Sequence, residues 1–120
     1  MDLHIYIDDA DLEAGDLHDL IEPVSASISA WIGEQKKSVQ LLVKEASEGD
    51  DIKLGMSLQV KSKYKLKDPL NFLYSLAKEH KCEFVIAIYQ ADADTTEDVC
   101  YFGYEEGRPD LFEIANYLDL

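Results

Sequence analysis

Between Ile52 and Val60 the chain alternates without a break, with Ile52, Leu54, Met56, Leu58 and Val60 set against Lys53, Gly55, Ser57 and Gln59. A period of two residues sends successive side chains to opposite faces of a strand. Such a strand has one face in a core and one face in water, as in an antiparallel sheet covered on a single side. A one-sided sheet is what the other segments must fit.

They fit it in a definite order. Leu3, Ile5 and Ile7 alternate with His4, Tyr6 and Asp8, which predicts a first strand. Leu17, Leu20, Ile21, Val24, Ile28, Trp31 and Ile32 then recur at helical spacing. Pro23 lacks a backbone donor and crowds the preceding turn, so the expectation is a kink, or a short turn before a main helix starting near Pro23. Gly33 suits the helix end. "SVQLLVKEA" reads as a second strand, joined to the third through the loop "SEGDD". Asp68-Pro69 predicts an N-cap and a first-turn proline for a helix through Leu70, Leu73, Leu76 and Ala77. "EFVIAIYQ" is apolar on both faces and belongs inside the sheet. After the acidic loop "ADADTTED" comes a fifth strand, "VCYFGYEE", and Pro109 opens a last helix with Leu111, Ile114, Ala115 and Leu118 on one side. The sequence β-α-β-β-α-β followed by β-α predicts one α+β domain over residues 1–120. Its core is ferredoxin-like, extended by a fifth strand and a C-terminal helix.

With 47% hydrophobic and 30% charged residues in 120, the chain has the composition of a folded domain with a real core. "MDLHIYIDDAD" turns acidic where a signal peptide would be apolar, and the longest apolar run, Phe84 to Tyr89, is too short for a bilayer. Cys82 and Cys100 form no disulfide framework and suit a reducing compartment. The expected location is cytoplasmic.

The net charge of −14 is unevenly spread. Residues 1–35 hold nine acids and no Lys or Arg, residues 36–81 ten basic and six acidic side chains, and residues 82–120 ten acids against Arg108 alone. Fields of this sign repel nucleic acid and anionic membrane and draw in basic partners.

Catalytic and metal patterns are weak by comparison. Asp9, Asp11 and Glu13 have the 1-3-5 spacing of a calcium loop, but Ala14 and Leu20 stand where it needs a glycine and an acid. "DADTTEDVCYFG" fails in the same way, at Glu97 and Gly103. "HKC" at His80–Cys82 has no second ligand pair at zinc spacing. Neither the histidines (His4, His18, His80) nor the cysteines stand in a nucleophile motif, and no phosphate-binding glycine pattern occurs. No structural metal or cofactor is expected, and the chain reads as a non-enzyme. Lys61, Lys63 and Lys65 continue the parity of Lys53, with Tyr64 the only ring nearby. They read as guards of an edge strand or as offsets to neighbouring acids, not as a nucleic-acid surface.

Protein binding remains. "YFGYEEGRPD", residues 101–110, sets three aromatic rings and three carboxylates beside the only arginine. Tyr and Arg are enriched at binding hot spots, and charged rims speed encounter. Alternation puts Phe102 and Tyr104 on one side of the strand and Tyr101 on the other, so at least one ring belongs to the core.

"FGYEEGRPDLFEIANYLDL", Phe102 to Leu120, resembles the C-terminal segment of small bacterial immunity proteins from toxin–immunity systems, including contact-dependent growth inhibition. The glycine-acid-glycine turn, the Pro-Asp helix start and the "EIANYL" helix carry the likeness. The resemblance implies a cytoplasmic antidote that binds the toxic domain of a cognate effector, often a nuclease with a basic cleft. The expected partner-binding residues are Asp8, Asp9, Asp11, Glu13, Asp92, Asp94, Glu97, Asp98, Glu105 and Glu106, with Tyr104 as aromatic anchor. An acidic regulatory module of the nucleic-acid-mimic type, a small metal-assisted enzyme and a homodimer stay open.

Overall fold

The computed structural model describes residues 1–8, 14–35, 39–44 and 53–120. The elements run β1 (Asp2–Asp8), α1 (Ala14–Gln35), β2 (Val39–Lys44), β3 (Lys53–Gln59), a 3-10 turn (Lys63–Leu66), α2 (Lys67–His80), β4 (Glu83–Gln90), β5 (Thr95–Gly103) and α3 (Leu111–Tyr117). Every strand pair is antiparallel, in the spatial order β2-β3-β1-β4-β5. The first four strands thus have the ferredoxin-like arrangement, and β5 extends the sheet beside β4. The α+β reading of the sequence agrees with this architecture.

The helices cover one face. Leu3, Ile5 and Ile7 of β1, Leu54, Met56 and Leu58 of β3, and Phe84 and Ile86 of β4 form one cluster with residues from all three helices. Val24 and Ile28 come from α1, Leu70, Leu73, Leu76 and Ala77 from α2, and Ile114 from α3, with Leu118 just beyond it. Fully burying one such side chain contributes about 1.5–3 kcal/mol. Trp31 stacks on Phe72 with centroids 4.9 Å apart, joining α1 to α2. Phe84 stacks on Phe102 at 5.6 Å, joining β4 to β5. As its two-sided apolar pattern predicts, β4 is interior, and even Val85 and Ala87 on the other face are buried.

Several local expectations change. Pro23 lies inside one continuous helix, α1, which runs past Gly33 to Gln35. Pro23 and Asp19, whose carbonyl loses its usual partner, are both exposed, so water can satisfy that group. No side chain caps α2, and Asp68 and Pro69 stand in its first turn. The 3-10 turn feeds directly into α2 and carries its own cap, the Ser62 hydroxyl, which accepts from the Tyr64 N–H at 3.3 Å. The same turn removes Lys63 and Lys65 from any strand, so they guard no edge. For α3 the cap is Asp110, whose Oδ1 accepts from the Phe112 and Glu113 N–H groups at 3.0 and 3.1 Å, so Pro109 stands outside the helix. β5 begins at Thr95, four residues before Val99, and absorbs half of the expected acidic loop. The expected "SEGDD" loop and Ile52 lie outside the described residues.

One glycine fixes how closely the central strands approach. A Cβ on Gly55 would stand 1.9 Å from the Ile5 carbonyl oxygen and 2.6 Å from Tyr6 Cα, both backbone atoms. Any side chain there would push β3 away from β1.

Candidate functional site

The face of the sheet that no described helix covers takes its side chains from the alternate positions of the same strands. On β1 these are Asp2, His4, Tyr6 and Asp8, and on β3 Lys53, Gly55, Ser57 and Gln59. Val85, Ala87 and Tyr89 continue the face on β4, and Tyr101 on β5.

An irregularity in β5 decides which acids join it. Cys100 pairs with Ile86 but Asp98 pairs with Ala87, so Val99 is an extra residue, a β-bulge. Unbroken alternation from Phe102 and Cys100 would aim Asp98 at the helix-covered side. The bulge reverses the parity and brings Asp98 to the open face, where its Oδ1 accepts from the Tyr6 hydroxyl at 2.6 Å. Burial, and then this bond, raises the Tyr6 pKa well above its ordinary value. Lys53 Nζ lies 5.0 Å from the Tyr6 ring centroid and 3.4 Å from Thr96 Oγ1, within hydrogen-bonding range. Three strands, β1, β3 and β5, meet in this one polar cluster.

A second ring pair lies beside it. His4 and Tyr89 stack at 4.4 Å with an interplanar angle of 11°. The Tyr89 hydroxyl donates to Asp94 Oδ1 at 2.8 Å, a bond that raises the tyrosine pKa. Asp94 has a left-handed backbone, φ 50°, which a short polar side chain tolerates better than most.

At the opposite end of β5 the chain closes on itself. The Gly103 and Gly107 N–H groups each donate to the other's carbonyl, at 3.0 and 2.9 Å. Glu83 fills the mouth of this loop: its carboxylate accepts from the Glu105 N–H at 3.0 Å and the Glu106 N–H at 2.7 Å. Gly103, at φ 150°, could not carry a Cβ, which would lie 2.7 Å from the Cys82 carbonyl oxygen. The Glu105 and Glu106 carboxylates are thereby turned outward and exposed. Tyr104 is 52% exposed beside them, and Tyr101 is 50% exposed on the strand.

The sequence-expected residues therefore fall into two groups joined by β5. Asp92, Asp94 and Glu97 cluster at the β4–β5 turn. Tyr104, Glu105 and Glu106 cluster at the far end, near Asp8, which pairs across the sheet with Glu83. Asp98 lies between them. Eight residue steps along a strand separate the two ends of β5, roughly 25 Å. Asp9, Asp11 and Glu13 lie outside the described residues. Asp94 and Asp98 each bind a tyrosine hydroxyl, whereas Asp92, Glu97, Glu105 and Glu106 have carboxylates with no hydrogen-bond partner among the described residues.

Sequence reasoning passed over Glu83, Tyr6, Tyr89 and His4. The alternation of β1 already placed His4 and Tyr6 on the wet face. Nothing local marked Glu83, whose partners lie 22 and 23 residues away. Tyr64 is not the only ring near the lysines either: Lys63 Nζ stands 5.6 Å from its ring and 5.4 Å from that of Phe112.

Both cysteines keep their thiol protons at neutral pH. Burial, followed by the charge of a neighbouring glutamate, pushes Cys82 and Cys100 up to about 11. Among the described residues no three His, Cys, Asp or Glu side chains converge on a point that could hold a metal ion. No described helix is long and apolar enough to cross a membrane. Comparison with family models, characterised proteins and solved structures returns no match.

Proposed function

We propose that this chain is a binding protein that holds a basic protein partner against the acidic edge formed by β5 and its two flanking turns. The observation that carries the reading is the placement of Asp92, Glu97, Glu105 and Glu106. Their exposed carboxylates line one edge, with Tyr101 and Tyr104 between and beside them. Exposed acids steer a basic partner into contact, and half-exposed tyrosines supply apolar area once it arrives. The likeness of residues 102–120 to small bacterial immunity proteins makes the partner a cognate toxin domain. A nuclease, whose cleft is built to receive phosphates, has the complementary charge. On this reading the protein acts in the cytoplasm, catalyses no reaction and needs no cofactor.

Calorimetric titration with the toxic domain encoded immediately upstream, at two salt concentrations, tests the proposal. The expected result is nanomolar affinity that weakens as salt screens the edge. Absence of binding at both concentrations removes the immunity reading. Comparable binding to several unrelated basic proteins would instead make the chain a general acidic module.

A further inference from the structure

The open face also contains a groove that the acidic edge does not explain. It has a volume of about 530 Å³ and spans the ends of four strands. Gln40 comes from β2, Ser57 and Gln59 from β3, Asp2 and His4 from β1, and Tyr89 from β4. The pairing places them in rows: Gln40, Ser57 and His4 lie side by side across three strands, and Asp2 stands opposite Gln59 in the next row. The size lies within the range of small-ligand sites, about 300–1,000 Å³.

The chemistry of the lining is selective. Asp2 supplies a carboxylate, and the two glutamine amides and Ser57 supply neutral acceptors. Among the described residues no lysine or arginine lines the groove. One wall is the His4–Tyr89 stack, held in place because the Tyr89 hydroxyl is bonded to Asp94. The bond to Asp94, with the charges of Asp94 and Asp2, raises the Tyr89 pKa, so two carboxylates stand near the wall.

We infer that this groove is a seat for an arginine side chain presented by the basic partner. The inference rests on the proposed function for the source of that arginine, but not for the fit. A guanidinium is planar, offers five donors in a fixed fork and packs flat on aromatic rings. An acceptor row beside a stacked ring pair suits that shape. A lysine ammonium is compact and strongly hydrated, and uses neither the ring wall nor the spread of acceptors. The groove therefore separates arginine from lysine, where the exposed carboxylates of β5 do not.

The test is a nuclear magnetic resonance titration of the full chain with N-acetyl-arginine methylamide, its lysine counterpart and a short RNA oligonucleotide. The arginine compound, at tens of millimolar, should shift the amides of Asp2, His4, Gln40, Ser57, Gln59 and Tyr89, and bind several-fold tighter than lysine. Asp2→Asn removes one charge without changing shape and should weaken binding about tenfold. Equal responses to arginine and lysine, shifts centred on Glu105 and Glu106, or a groove that answers only to RNA would each overturn the inference. The outcome is separable from that of the proposed function. If the toxin domain binds at nanomolar affinity and Asp2→Asn leaves that affinity unchanged, the groove inference fails and the function stands. If arginine occupies the groove and the toxin does not bind, the groove stands and its partner is another basic protein.

Discussion

Leu3, Ile5 and Ile7 on one face of β1 and His4, Tyr6 and Asp8 on the other are held by different physics. The first three are buried against helices, where stability comes from apolar area and close packing. The second three are half-buried among rings and polar groups. There geometry is fixed by directed contacts: Tyr6 to Asp98, Tyr89 to Asp94, His4 on Tyr89. The contrast separates residues that hold the fold from residues that shape a surface. It also sorts the acids. Asp94, Asp98 and Glu83 bond the protein's own tyrosines and a turn, while the exposed carboxylates of Asp92, Glu97, Glu105 and Glu106 have no such partner among the described residues.

The largest effect should come from the covered face. Phe84 is fully buried against Phe102, and Phe84→Ala should lower unfolding stability by about 3–5 kcal/mol. Urea denaturation would show this as a lower midpoint, and a loss under about 1 kcal/mol would break the contrast between the faces.

An intermediate effect belongs to the polar cluster. Tyr6→Phe should cost about 1 kcal/mol at neutral pH, through loss of the bond to Asp98. The native Tyr6 keeps its proton more tightly than the unfolded chain does, whose tyrosine titrates near 10.0. Its contribution is thus fully present below that pH and is lost as pH rises through the native value. Stability of the natural protein should therefore fall more steeply above pH 10 than that of Tyr6→Phe. Cys82 and Cys100 titrate in both proteins and cancel in the comparison. A difference that stayed constant across this range would remove the Tyr6–Asp98 bond from the explanation.

The smallest stability effect is expected at the outward acids. Replacing both Glu105 and Glu106 by glutamine should change stability by no more than about 0.5 kcal/mol, because their backbone N–H groups, not their carboxylates, hold the loop on Glu83. Affinity for the basic partner should fall several-fold at low salt and less at high salt. A double variant that lost stability but kept its affinity would reverse the roles assigned to the two kinds of acid.

Much of this was legible in the chain itself. The strict alternation of residues 52–60, the alternation of β1 and the two-sided apolar run of β4 are local patterns, because a strand's faces are set by backbone geometry alone. They were enough for the element order, the ferredoxin-like core and the uncovered face. Charge blocks are likewise a matter of composition, so the acidity of the last third was visible at once. Element ends were less legible. Pro23 stays inside α1 because it faces solvent, and Asp110 displaces Pro109 from the start of α3 because a side-chain oxygen bonds two backbone donors there.

What only the tertiary structure decided is the use of each acid. A single bulged residue, Val99, moves Asp98 from the covered side to the Tyr6 hydroxyl, and no residue spacing announces where one extra residue will be absorbed. Glu83 reaches a turn more than twenty residues away, and the groove draws its lining from four strands. Such placements depend on register across the sheet, which is set by pairing between distant segments. The sequence determined that this protein has a one-sided sheet and a strongly acidic surface. Only the packed sheet determined which carboxylates it keeps for itself and which it presents.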